Sequence, residues 1–228
     1  MNKTGDTKKA ETAVRTDKYP HSDNDWENFD VLHINRLPSA ATFMAYTTKE
    51  KAVKNDKSQS EYFQSLNGTW KFQFVPRSDQ RPMDFFEKGH DVSGWGNIKV
   101  PANWEMEGYG HPFYVGAGYG IKRNPPLIAM ENSPVGSYKR TFNVPANWKG
   151  KQIVLHFGGV ASAFYVWVNG EKVGYSQDSK TPSEFDITPY AVTGQNEIAV
   201  QVFKFSDGYY LEDQDYWRFA GIQRDVYL

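Results

Sequence analysis

The chain has no cysteine, which removes disulfides, thiolate metal sites and cysteine nucleophiles together. It also has almost no net charge: 26 Lys and Arg against 27 Asp and Glu leave -1. No basic excess is available to track a phosphate backbone, so nucleic acid is not an expected partner. No apolar run approaches the ~20 residues of a membrane-spanning helix. Met1 leads into polar residues, not into the apolar stretch of a signal peptide. No membrane partner is expected. The compartment stays open between cytoplasm and periplasm, because exported proteins can also lack cysteine.

Several catalytic signatures are missing as well. The five histidines (His21, His33, His90, His111, His156) form no HExxH and no closely spaced pair, so zinc is not expected. There is no GxSxG elbow for a serine hydrolase. Gly116-Ala117-Gly118-Tyr119-Gly120 superficially resembles a dinucleotide loop. It lacks the third glycine at the required spacing, and Asn124-Pro125-Pro126 follows where a helix should start. What the chain has in quantity is aromatics. Fifteen Phe, 14 Tyr and 7 Trp make 16% of its 228 residues, within a hydrophobic content of 39%. That is too apolar for disorder and ample for a sizeable core.

The organisation is that of an all-β protein. Residues 1–21 are mostly charged or small and read as a flexible arm, with the folded domain spanning 22–228 and order beginning near Asp25-Trp26-Glu27-Asn28. Residues 38–58 read as a loop with one short helical turn around Lys49–Val53. Thr69-Trp70-Lys71-Phe72-Gln73-Phe74 alternates with period two, which places Trp70, Phe72 and Phe74 on one face of a sheet. Ser137–Val144, Gln152–Phe157, Ala163–Val168, Lys172–Ser176, Glu197–Phe205 and Gln223–Leu228 also read as short strands. Asn169-Gly170 between two of them is a strong hairpin signal. Trp70, Trp104, Phe164 and Trp167 are expected in the core. Many short strands, long loops and 19 Gly with 12 Pro as punctuation predict an antiparallel jelly-roll β-sandwich. A (β/α)₈ barrel is excluded, because the helices it needs after each strand are missing. The final run, Arg224–Leu228, stops inside a strand-like pattern and suggests a larger parent chain.

The densest chemical constellation is Ser206–Arg218, where Asp207, Glu212, Asp213 and Asp215 are interleaved with Tyr209, Tyr210, Tyr216 and Trp217. One reading is a solvated loop with aromatics packed beneath it. The other is a site for a hard cation or a sugar, since carboxylates suit Mg²⁺, Ca²⁺ or Na⁺ and an aromatic face beside a carboxylate suits a pyranose. Spacing alone leaves both open. A second group is Asp25-Trp26-Glu27-Asn28 with Gln177-Asp178-Ser179, oxygen donors that meet only if the fold brings them together. On local grounds Asp25 and Asn28 are expected to cap a turn. Asn67-Gly68-Thr69 fits a glycosylation sequon and is read instead as the turn before the Trp70 strand.

At four stretches the sequence resembles the N-terminal, galactose-binding-domain-like jelly roll of glycoside hydrolase family 2 β-galactosidases. They are Ser65–Trp70, Pro101–Tyr109, Tyr175–Asp186 and Tyr210–Arg218 with Gly221-Ile222 and Arg224-Asp225-Val226. The Leu-Glu-Asp-Gln-Asp-aromatic-Trp-Arg run points to β-galactosidases over the glucuronidases and mannosidases of that family. The resemblance implies that an immunoglobulin-like domain and a catalytic barrel, both absent from this chain, follow this domain. Two glutamates of that barrel carry out retaining hydrolysis, about 5 Å apart, so no catalytic residue is expected here. It implies that Asp215 contacts galactose hydroxyls and a sodium ion. It further implies a structural Mg²⁺ site of Asp25, Asn28, the Val31 carbonyl, Gln177 and Asp207. The expected partners are a galactoside, the remaining domains and, in the whole enzyme, further copies in a homo-oligomer. One position departs from the pattern: Gly116 stands where the family usually presents an asparagine to the sugar, which leaves galactose specificity open. Two other readings are a stand-alone carbohydrate-binding module and a purely structural domain.

Overall fold

A computed structural model describes residues 22–116, 118, 120–212 and 215–228. The arm expected over residues 1–21 lies outside the described residues, as do Asp213 and Gln214. The strands in chain order are β1 His33–Ile34, β2 Gly68–Val75, β3 Gly96–Val100, β4 Phe113–Val115, β5 Val135–Val144, β6 Val154–Phe157 and β7 Val160–Ala161. They continue with β8 Ala163–Val168, β9 Glu171–Gln177, β10 Ser183–Asp186, β11 Gly194–Phe203, β12 Tyr216–Arg218, β13 Gly221–Ile222 and β14 Val226–Tyr227. A seven-stranded sheet runs in the order β1-β9-β8-β11-β5-β2-β3, and a three-stranded sheet in the order β10-β6-β14. All pairings are antiparallel. The fold is an antiparallel β-sandwich of the jelly-roll kind. Helix is confined to short pieces. α1, Lys49–Lys54, is capped by the Thr48 hydroxyl, which accepts from the Lys51 N–H at 3.3 Å. Among the described residues no helix is long and apolar enough to cross a membrane.

Burial follows the strand period. Trp70 and Phe72 of β2 face the second sheet together with Phe164, Val166 and Val168 of β8, Phe157 of β6 and Phe185 of β10. Phe74 packs against the same core, as the alternation predicts. The other face of the large sheet is covered too. There Ala163, Tyr165 and Trp167 of β8 and Phe203 of β11 lie under Trp26, Phe85, Phe86 and Trp95. Every residue of β8 is therefore buried, which explains why Ala-Phe-Tyr-Val-Trp-Val reads as a continuous apolar run. Trp70, Trp104, Phe164 and Trp167 are all buried as expected.

The β8–β9 hairpin turns at Asn169 and Gly170, both at positive φ (53° and 89°). That pair of left-handed residues matches the right-handed twist of the flanking strands. Asn67 is not a free acceptor for sugar. Its side chain donates to Asp225 Oδ1 at 2.9 Å and accepts from the Val226 N–H at 2.9 Å, fixing the turn into β2.

Two features of the fold decide where the candidate site forms. β1 adds to the edge of β9, with His33 opposite Ser176 and Ile34 opposite Tyr175. Trp26 stacks on Phe203 with ring centroids 4.1 Å apart. These contacts bring the N-terminal segment to the ends of β9 and β11. After β11, a 3-10 turn at Asp207–Tyr210 leads to an outer stretch that returns as β12 and pairs with β4.

Candidate functional site

Asp207 is fully buried, and among the described residues no group meets either of its carboxylate oxygens in hydrogen-bond geometry. A buried, uncompensated carboxylate is costly, and its ionised form is disfavoured. Burial raises its pKa to about 6. The Gln177 amide and the N–H groups of Gly208 and Asn28 face the carboxylate and partly offset that rise, while the nearby Glu27 charge adds to it. The solvated-loop reading of the acidic run therefore fails at Asp207, because the 3-10 turn folds it inward beneath the surface.

The structure places the other residues expected at the cation site as follows. Gln177 ends β9 and is buried. Its backbone N–H donates to the Leu32 carbonyl at 3.3 Å, and its Oε1 accepts from the Tyr175 hydroxyl at 2.8 Å. Asn28 and Val31 belong to one turn, closed by the Val31 N–H on the Asn28 carbonyl at 2.9 Å. The Asn28 side chain caps that turn by accepting from the Asp30 N–H at 3.1 Å. Asp25 does not cap it. Its Oδ2 instead accepts from the Tyr165 hydroxyl at 2.7 Å and lies 3.6 Å from Lys172 Nζ. Tyr165 and Tyr175 are both raised well above the ordinary tyrosine range. Burial is the main cause, with the Asp25 carboxylate acting on both and Asp207 on Tyr175. Both hydroxyls thus stay neutral donors between the two acids.

Asn28 and Gln177, far apart in sequence, face Asp207, Val31 closes the Asn28 turn, and Asp25 is turned to Tyr165 and Lys172. Among the described residues no cluster of three or more His, Cys, Asp or Glu could hold a metal ion. Carboxylate, amide and carbonyl oxygens of the expected residues are donors for a hard cation and not for zinc.

Asp215 has the opposite setting. It is exposed, and the Tyr114 hydroxyl donates to its Oδ1. That bond raises the Tyr114 pKa and keeps the phenol protonated. The β4–β12 pairing sets Trp217 opposite Tyr114 and Tyr216 opposite Val115, so the Gly116 loop lies beside Asp215. A Cβ added at Gly116 would stand 3.6 Å from Asp215 Oδ1 and 3.4 Å from Tyr114 Cε1. Tyr114 and Trp217 are 54% and 53% exposed, unusual for large aromatics, and meet edge to face at 5.8 Å. The result is an open surface of one carboxylate between aromatic rings. It offers strong acceptors for hydroxyl groups and apolar faces for a ring. Tyr114 was not expected from the sequence. Its only sequence signal is its place two residues before Gly116.

Residues 63–228 match the model of the family described as glycosyl hydrolases family 2, sugar binding domain. Across its full length the chain is 45% identical to the β-galactosidase of Priestia megaterium, of which it covers 22%. Over 91% of its length it is 45% identical to the β-galactosidase of Halalkalibacterium halodurans, covering 21% of that protein. The chain thus spans about a fifth of the length of these relatives. Among solved structures it is similar to Bacteroides uniformis β-glucuronidase 2 covalently bound to cyclophellitol-6-carboxylate aziridine. There the identity is 26% and the TM-score 0.54, over 72% of this chain and 17% of that one.

Proposed function

The chain belongs to the sugar-binding domains of glycosyl hydrolase family 2, and from that membership we propose that it is the N-terminal part of a β-galactosidase and supplies one wall of its galactose pocket. The observation that carries this reading is the one-sided surface at Asp215. Its carboxylate and its exposed aromatic neighbours, Tyr114 and Trp217, can hold one side of a sugar but do not enclose it. Ligand pockets bury most of their ligand, so the opposite wall comes from elsewhere in the enzyme. The β-galactosidase relatives at 45% identity support the substrate class.

In this reading Asp215 is a ligand, not an acid or nucleophile. Retaining glycosidases place their two working carboxyl groups about 5 Å apart across the bond to be cleaved. Asp215 stands exposed on the outer stretch and Asp207 is sealed inside the fold, so the two do not flank a common space. Asp215 instead accepts hydrogen bonds from sugar hydroxyls, which offsets part of their desolvation and orients the ring for groups supplied by the rest of the enzyme.

Two cations belong to the same proposal. The unpartnered, buried oxygens of Asp207 fit a hard divalent ion, and Asp207, Asp25, Asn28, the Val31 carbonyl and Gln177 would hold Mg²⁺. Its charge would balance the buried carboxylate and tie the N-terminal segment to the sheet, a structural role. For sodium the chain contributes Asp215. The partners are a galactoside, the remaining domains of the enzyme and further copies of it.

A galactose titration of this chain followed by amide NMR, with and without Na⁺ and Mg²⁺, tests the reading. A folded spectrum that galactose leaves unchanged, together with a raised KM for Asp215→Ala in the full-length enzyme, is the expected result. Saturable shifts centred on Asp215 in the isolated chain would favour a free-standing carbohydrate-binding module.

A further inference from the structure

We infer that Glu212 is a positioning residue for Asp215, and that Ser179 is the grip through which it works. The inference rests on the reading of Asp215 as a sugar ligand. After buried Tyr210, Leu211 is 80% exposed, and Asp215 and Trp217 are exposed as well, before the chain returns to buried Arg218. Glu212 turns back from this stretch. Its carboxylate accepts twice from one residue, from the Ser179 N–H at 2.8 Å and from the Ser179 hydroxyl at 2.5 Å. Such paired, charge-assisted bonds fix orientation as well as position.

A second hold comes from the opposite side. Arg218 Nη1 donates to the Glu212 carbonyl at 2.7 Å, and its guanidinium lies 4.2 Å over the Tyr216 ring and 5.0 Å over Tyr209. Ser179 is itself firmly seated. It follows Gln177, the last residue of β9, in a turn where Thr181 Oγ1 donates to Asp178 Oδ2 at 2.5 Å and the Lys180 N–H to Asp178 Oδ1 at 3.2 Å. The turn that follows β9 thus grips Glu212, three residues before Asp215. A ligand carboxylate carried on exposed backbone needs such a tether, because small misplacements of a binding group cost affinity steeply.

The test uses the full-length enzyme. Glu212→Ala, Glu212→Gln, Ser179→Ala and Ser179→Thr are assayed for KM and kcat on a galactoside and for inhibition by galactose. Each is made in the wild-type and the Asp215→Ala background, and melting temperature is followed throughout. Glu212→Ala should weaken galactose binding about tenfold, the loss commonly carried by a hydrogen bond to a charged group. Ser179→Ala keeps the N–H donor and should lose less, and Ser179→Thr should recover most of that loss. kcat should move little. In the Asp215→Ala background the Glu212 substitutions should add nothing to the affinity loss, because they act through Asp215. Affinity losses that add fully in the two backgrounds overturn the inference and leave Glu212 a structural tether. If Asp215→Ala alone leaves galactose binding intact, the reading of Asp215 fails and the inference with it. Glu212→Gln, which keeps the side-chain shape, decides the matter should Glu212→Ala not fold.

Discussion

Metal-free protein should lose stability as Asp207 ionises, and the direction and size follow from the structure. Burial raises this carboxyl from 3.8 to about 6, so the folded chain holds the proton more tightly than the unfolded chain does. The stabilising contribution is therefore fully present below 3.8 and is lost as pH rises through about 6. The gap corresponds to about 3 kcal/mol, or roughly 6–12 °C in melting temperature for a domain of this size. Asp207→Asn keeps the shape and removes the charge. Measured by circular dichroism in a chelator near pH 7, the variant should melt above wild type, and near pH 4 the two should agree. Magnesium should invert the order. An ion held by folded Asp207 adds about 2.7 kcal/mol at a hundredfold excess over its Kd, and Asp207→Asn forfeits that gain. Two results would refute the reasoning. One is a metal-free wild type that tracks Asp207→Asn across the whole pH range. The other is a magnesium gain that survives the substitution undiminished.

Three further outcomes are expected. Gly116→Asn should lower KM for a galactoside about two- to tenfold, the worth of one added hydrogen bond. The new Cβ would stand at ordinary contact distance from Tyr114 and Asp215, and a raised KM would show that the glycine is needed. Gly174→Ala should destabilise the fold by about 1–3 kcal/mol. Its Cβ would collide with the Ile34 carbonyl and stand 2.7 Å from the Phe185 ring. Hydrogen exchange should quicken at β1, and a stable β1 would count against the packing argument. The ion pair of Lys204 with Glu105, at 2.5 Å with side chains 7% and 2% exposed, should be costly to break by half. Glu105→Leu removes the carboxylate from the buried Lys204 ammonium, which keeps the His111 carbonyl at 3.2 Å, and should cost about 3–5 kcal/mol in urea denaturation. Glu105→Leu with Lys204→Met should recover most of it, and no recovery would mean the pair is not the source of the loss.

The sequence shows most where a physical constraint acts on consecutive residues. Ala163–Val168 is a strand in full because both faces of β8 are covered and every position must be apolar. Trp70, Phe72 and Phe74 share a face because β2 keeps its period between two neighbours. The Lys49–Val53 turn is found one residue longer, as α1. What escapes is short and set from outside. β1, β4, β12 and β13 have two or three residues each, too few to display a period, and their partners decide their conformation. β3 and β10 are longer, but β3 opens on Gly96-Asn97 and each sits at the edge of its sheet, where alternation is weakly enforced. The candidate site has the same limit. Asp215 and Tyr114 meet only through the β4–β12 pairing.

The acidic run Asp207–Asp215 shows why residue type alone did not assign roles. Its first carboxylate is sealed under the N-terminal segment, its second grips Ser179 and its last faces outward beside two exposed aromatics. The N-terminal turn, anchored by Trp26 stacking on Phe203 and by the β1–β9 pairing, packs on the Asp207 turn, and among the described residues the buried carboxylate meets no group in hydrogen-bond geometry. A fold selected only for stability would place a neutral or apolar side chain there, since replacing uncompensated buried charge is stabilising. Retaining an acid at such a point makes sense when something of opposite charge completes it. The proposed cation site at Asp207 and the proposed sugar wall at Asp215 then stand on either side of Glu212 in the sequence.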